Sequence, residues 1–175
     1  MRTKKLFHSL LILWGIGVLL GILFSMAISD NMETLLKTYL DLRLQRIPGK
    51  EHWIRCLGIH IRNLVLMGII TYIPYAILWL KTYMAGWGFV YGFAVQIFAK
   101  SYGYRGILGA ILGYIPQNIL LLPVLYLASR CIVGIHEKRY ARSMWICIWI
   151  FSIVAAIIEI KTAPFFIRWC LEGVF

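Results

Sequence analysis

Residues 106–129 read GILGAILGYIPQNILLLPVLYLAS, 24 residues with no formal charge. The run is long enough to cross a bilayer as a helix. Near its midpoint stand Pro116, Gln117 and Asn118, with a second proline at Pro123. Hydrocarbon offers no water to pair amides or backbone groups, so such a segment is tolerated only where neighbouring protein or trapped water satisfies it. Pro116 has no N–H and excludes a bond to the Leu112 carbonyl; Pro123 does the same for Ile119. The expectation is a helix interrupted at mid-membrane beside two amides.

The rest of the chain is of the same kind. Of its 175 residues 61% are hydrophobic and 14% charged, and the mean hydropathy is +0.79. A soluble domain carries about 25% charged residues. The composition points to an all-α, polytopic membrane bundle forming one integral domain over residues 1–175. The net charge of +11 does not indicate nucleic acid. Its lysines and arginines stand at the borders of apolar runs, where they meet headgroups and set topology. No soluble stretch interleaves basic and stacking aromatic residues, so nucleic acid is excluded as a partner. Cys56, Cys131, Cys147 and Cys170 are widely separated and support neither a disulfide framework nor a zinc spacing. Cys147, inside an apolar run, reads as a small core residue.

Five spans are expected, at about 6–28, 63–80, 82–99, 106–129 and 143–160. The first follows Arg2, Lys4 and Lys5 and is too long for a signal h-region. It contains the helix-contact pattern Gly17-Val18-Leu19-Leu20-Gly21. Residues 31–47 form an amphipathic helix, with Met32, Leu35, Leu36, Tyr39 and Leu40 opposed by Glu33, Lys37, Asp41 and Arg43. Lys81 separates the second and third spans as a short hinge. Lys100 to Arg105 joins the third to the fourth. Pro164, Phe165, Phe166 and Trp169 suggest a short interfacial closing segment. An amino terminus in the cytoplasm puts Arg2, Lys4, Lys5, Lys81, Arg130, Lys138, Arg139 and Arg142 inside, eight against ten. Setting aside the long first loop makes it eight against four and favours that orientation.

Several residues could carry chemistry. Gln117 and Asn118 serve either as interhelical glue or as a substrate site at an unwound helix. No acid stands at their depth, which favours glue. Gln96 is their candidate partner. Gly88 and Gly92, facing Gly109 and Gly113, would pack the third span on the fourth. Glu159 is the acid placed within a span, read either as an interfacial charge beside Lys161 or as an inward-facing functional carboxylate. His52, Cys56 and His60 repeat every four residues, but a zinc ion needs a fourth ligand and none is suggested. No nucleophile elbow, HExxH or P-loop is present, and Ser101 and Ser143 have no evident base. Neither catalysis nor a cofactor or metal is expected. Tyr72 to Leu78 (YIPYAIL) and Tyr114 to Leu120 (YIPQNIL) match in five of seven places, an echo that fits either duplication or chance.

The stretch Gly113-Tyr114-Ile115-Pro116-Gln117-Asn118-Ile119-Leu120-Leu121-Leu122-Pro123 resembles the Leu-Pro-Gln-Asn-Leu segment of the stage II sporulation protein M family, which also has a proline soon after. The run from Asn63 through Pro74, Lys81, Gly86, Gly88 and Gly92-Phe93 is similar to that family's membrane hairpin, with Thr82 where the family has glycine. Ile158-Glu159 with Pro164 resembles its Ile-Glu-Ala and following proline, with Ile160 in place of alanine. The resemblance covers residues 52–165, and the amino-terminal helices by layout. It implies a mother-cell membrane protein of endospore formation. Such a protein would act at the engulfing septum as a scaffold for the peptidoglycan-degrading sporulation proteins D and P. Arg43, Arg46 and Lys50, in an extracytoplasmic loop, would then contact those partners. The partners implied are membrane lipid and the two hydrolases, with self-association left open. A wider related group is described as permease-like, so a small-solute or ion permease using the fourth span is the alternative.

Overall fold

The computed structural model describes residues 2–28, 34–38, 50–72, 74–136 and 142–172, and among these all regular structure is helical. The helices are α1 (Arg2–Met26), a short α2 (residues 34–38), α3 (Lys50–Tyr72), α4 (Ala76–His136) and α5 (Arg142–Glu172). Two stretches, Thr3–Met26 and Met144–Thr162, are long and apolar enough to cross a membrane. Their outer faces are apolar too: Leu19 and Leu23 on α1 are exposed, as are Ile146 and Ile150 on α5.

α4 is two limbs folded on each other. Gly103 alone inside it departs from helical dihedrals, at φ 62° and ψ −145°. That region is open to glycine and closed to residues with a Cβ. After it the chain doubles back, so Gly106 lies against the Phe98 carbonyl. Eight residues along a straight helix would be about 12 Å apart. Farther from the hinge, Val124, Leu125 and Ala128 share one core cluster with Leu80 and Met84. The loop expected at 100–105 therefore contracts to one glycine. Gly103→Ala has room for its methyl, so its expected penalty of about 1–3 kcal/mol is purely conformational. A lower thermal midpoint in detergent than for Gly15→Ala, whose methyl also meets open space, checks this.

α1 runs parallel to the first limb of α4. Leu6 and Leu10 cluster with Leu80 and Met84, the Trp14 ring meets Tyr91 at 5.6 Å, and Phe24 meets Phe93 at 6.4 Å. The helices touch backbone to backbone. A Cβ on Gly17 or Gly21 would strike the carbonyls of Ala85 or Phe89, and one on Gly88 or Gly92 those of Trp14 or Val18. The contact pattern expected of Gly17 and Gly21 is present. The pairing of Gly88 and Gly92 differs: they close on α1, whereas the expectation was the following limb. Gly106 is one glycine at which the two limbs of α4 meet.

Other boundaries also differ. The turn between α3 and α4 falls at Pro74-Tyr75, and Lys81 lies inside α4. Proline lacks an N–H and disfavours helix at the residue before it, whereas lysine is a good helix former. Tyr75 takes φ 64°, and its carbonyl accepts from the Leu78 and Trp79 amides to begin α4. The first YIPxxIL copy thus spans a turn while the second lies within a helix, so the two do not share a backbone. α4 stays helical through 114–121, and α5 through 163–164 to Glu172. Pro116, Pro123 and Pro164 each remove one donor, yet their fixed φ suits a helix that neighbours hold in place. The interruption expected at Pro116 is at Gly103 instead. Cys147, expected in the core, is exposed, while Cys131 is buried. Of the amphipathic helix expected at 31–47, residues 34–38 are helical and the rest lie outside the described residues.

The core gathers where four helix ends meet. Leu6 and Leu10 of α1, Leu80 and Met84 of α4, Ile132 near the end of α4, and Ile148 of α5 form it. Buried Ser25 and Ser129 satisfy their hydroxyls on their own helices, donating to the Ile22 and Leu125 carbonyls at 2.9 and 2.8 Å.

Candidate functional site

On α3, His60, Leu64 and Met67 are buried at helical spacing. On α5, Ser152, Ala155, Ala156 and Ile160 are buried in turn. The two helices exchange a polar contact. His60 Nε2 lies 2.5 Å from Glu159 Oε2, across 99 residues of sequence. The imidazole is 8% and the carboxylate 22% exposed, so the pair is largely withdrawn from solvent.

Both residues sit about one turn inside an apolar stretch. His60 is near the start of Leu57–Ile70, and Glu159 is near the end of Met144–Thr162. Each justifies the other: a carboxylate or imidazole alone among apolar side chains is costly, and a short hydrogen bond offsets that cost. A neutral imidazole donates Nε2–H to the carboxylate, and an imidazolium makes the same bond with charge assistance. Glu159 turns to α3; Lys161, its expected neighbour, is exposed.

The other candidates are distributed as follows. Gln96 is half-buried on the first limb of α4. The backbone of 116–118 is helical on the second limb, and the side chains of Pro116, Gln117 and Asn118 lie outside the described residues. Phe98 beside Gly106 marks the hairpin register near the tip. It puts Gln96 nearer residue 109 than residue 117, an offset of roughly 12 Å along the axis. Gly109 and Gly113 are buried. Arg43 and Arg46 lie outside the described residues, as do the side chains of Lys50, His52 and Cys56. The Ser101 hydroxyl is buried near the hairpin tip with no hydrogen-bond partner in the described structure. Among the described residues no three histidine, cysteine or acidic side chains gather as a metal would need.

No family model, curated protein or solved structure matches this chain.

His60 escaped notice as the partner of Glu159 because its visible signal was a different one, the four-residue spacing with His52 and Cys56. A better signal was available. An acid inside one apolar run calls for a donor inside another, and Leu57–Ile70 contains His60 and Arg62. Arg62 is exposed, leaving His60.

Proposed function

We propose that the chain is a multi-pass membrane scaffold of the forespore engulfment machinery. It would hold the peptidoglycan-degrading sporulation proteins D and P at the septal membrane and have no catalytic step of its own. The engulfment role rests on the resemblance carried by residues 113–123 and 158–164. The membrane setting is supported by the apolar outer faces of α1 and α5. The amino terminus would lie in the cytoplasm, with residues 29–49 and the Gly103 hairpin tip on the outer side.

The observation that carries a scaffold over a carrier is the backbone contact between Gly17 and Gly21 of α1 and Gly88 and Gly92 of α4. Helices packed at main-chain distance present their outer ends in fixed relation. A carrier must instead let one group of helices rock against another. Reversing the charge of Arg43, Arg46 and Lys50 together is expected to reduce recovery of both hydrolases about tenfold in co-purification, with the protein still inserted and folded. Undiminished recovery of both would refute the docking surface.

A second reading has one observation in its favour. Glu159, held by His60 inside the apolar layer, is the kind of group a proton- or cation-coupled permease uses. Flux into liposomes that disappears with Gln117→Ala and Asn118→Ala, or with Glu159→Gln, would favour it. Flux equal to that of empty liposomes across a broad solute panel would leave the scaffold.

A further inference from the structure

The parallel packing of α1 on α4 has a consequence at the opposite end of the molecule from His60 and Glu159. It brings Lys81, a little over one turn into α4, beside Lys4 and Lys5, in the first turn of α1. Between them lies an open groove of about 700 Å³ lined by Lys4, Lys5, His8, Ser9, Ile12, Leu13 and Lys81. Three ammonium groups from two helices share this groove, and none has an acidic partner among the described residues. His8 Nδ1 lies 2.7 Å from the Lys4 carbonyl, which fixes the ring and leaves Nε2 as its unused nitrogen. Below the cations the lining turns apolar, with Ile12 exposed and Leu13 half-buried.

We infer that this groove is a binding site for one anionic phospholipid, its phosphate among Lys4, Lys5 and Lys81 and its acyl chain along Ile12 and Leu13. The inference rests on the membrane reading above. Like charges held together with no acid beside them among the described residues call for an anion, and a groove cationic at its rim and apolar along its floor matches an amphiphile. A soluble phosphate would use the rim and leave the floor to water. Gathering charges from two helices also distinguishes the site from the general attraction of border lysines to a charged leaflet. Lys81, alone between two apolar runs, acquires a reason for its position. An uncharged helix former there would continue α4 equally well.

The test uses the full chain purified in a neutral detergent, with thermal denaturation followed as lipid is added. Phosphatidylglycerol is expected to raise the midpoint of the native protein, while phosphatidylcholine and inorganic phosphate at equal concentration do not. K4Q/K5Q/K81Q is expected to need at least about tenfold more phosphatidylglycerol for half the effect. K4R/K5R/K81R should behave as native, and so should Arg130→Gln, an exposed cation at the same end. Should the triple glutamine variant lose its helical signal, Lys81→Gln alone takes its place, with an expected loss of about fivefold. Equal response of the glutamine variants and the native protein overturns the site. Equal stabilisation by inorganic phosphate assigns it to a free anion, and equal stabilisation by phosphatidylcholine reduces it to bulk lipid; either result overturns it. Failure of the membrane reading shows separately, as release of the protein from membranes by alkaline carbonate.

Discussion

Gly88→Leu is expected to pry α1 from α4 and to cause a large loss of stability. A side chain at Gly88 would enter the space of the Trp14 main chain, and one at Gly92 that of Val18. The reciprocal positions, Gly17 and Gly21, meet the carbonyls of Ala85 and Phe89. In each case the obstacle is backbone, which cannot rotate away as a side chain can. The helices would have to separate along their shared length. The ring contacts between Trp14 and Tyr91 at 5.6 Å and between Phe24 and Phe89 at 5.5 Å would loosen with them. Close approach also permits Cα–H···O contacts, which lapse as the axes part. Overpacking a tight contact costs about 1–3 kcal/mol and sometimes more, so Gly88→Leu should lie at or above the top of that range. At about 2–4 °C per kcal/mol for a chain of this size, the midpoint in detergent should fall by roughly 6–12 °C. Gly86→Ala and Gly15→Ala provide the comparison, because a methyl at either meets open space. Each should be neutral or gain up to about 1 kcal/mol, as alanine suits a helix better than glycine. If Gly88→Ala and Gly86→Ala melt alike, the helices do not pack at main-chain distance.

That crossing marks a limit of what the sequence makes legible. The Gly17 and Gly21 spacing announces a contact face, and the Gly88 and Gly92 spacing announces another. Neither pattern names its partner. Adjacency in the chain suggested the limb following Gly103; the partner is α1, some seventy residues away. The helical class and the turn-back near residues 100–105 were readable from apolar run lengths and a glycine between charges. The other hinge was not placed correctly, because Lys81 looks like punctuation when charge is the guide. Proline geometry at Pro74 is the stronger physical signal. The same priority, applied too literally, misplaces the break at Pro116. A proline ends a helix that has nothing beside it, and it is accommodated where packed neighbours hold the backbone. Glu159, whose partner on α3 the sequence does not announce, lies where an acid near the far end of the last span is expected, close to the end of Met144–Thr162 in α5. The helix runs on to Glu172.

The pair that this longer α5 forms with α3 carries the second large expectation. His60→Leu removes the partner of Glu159 and leaves a carboxylate in a mostly apolar setting. Glu159→Leu leaves a buried imidazole with its Nε2 unmatched. Breaking a buried pair from one side costs about 3–5 kcal/mol; the 22% exposure of Glu159 puts both single variants near the lower end. His60→Leu/Glu159→Leu removes both polar groups together and fills the space with apolar side chains. It should recover most of the loss, with a coupling of about 1–3 kcal/mol in a double-mutant cycle. Additive losses would mean that the contact contributes nothing as a pair. The recovered double variant then separates the two roles that stability alone confounds. If the protein is the scaffold proposed above, a double variant that still co-purifies the proposed hydrolase partners makes the pair glue between α3 and α5. A double variant that is stable and inserted yet fails to co-purify them shows that the polar pair itself is required. Glu159→Gln sharpens that second outcome. The amide keeps an acceptor for His60 and nearly the same volume while removing the charge, so a stable, inactive Glu159→Gln protein would assign function to the carboxylate rather than to the packing it supports.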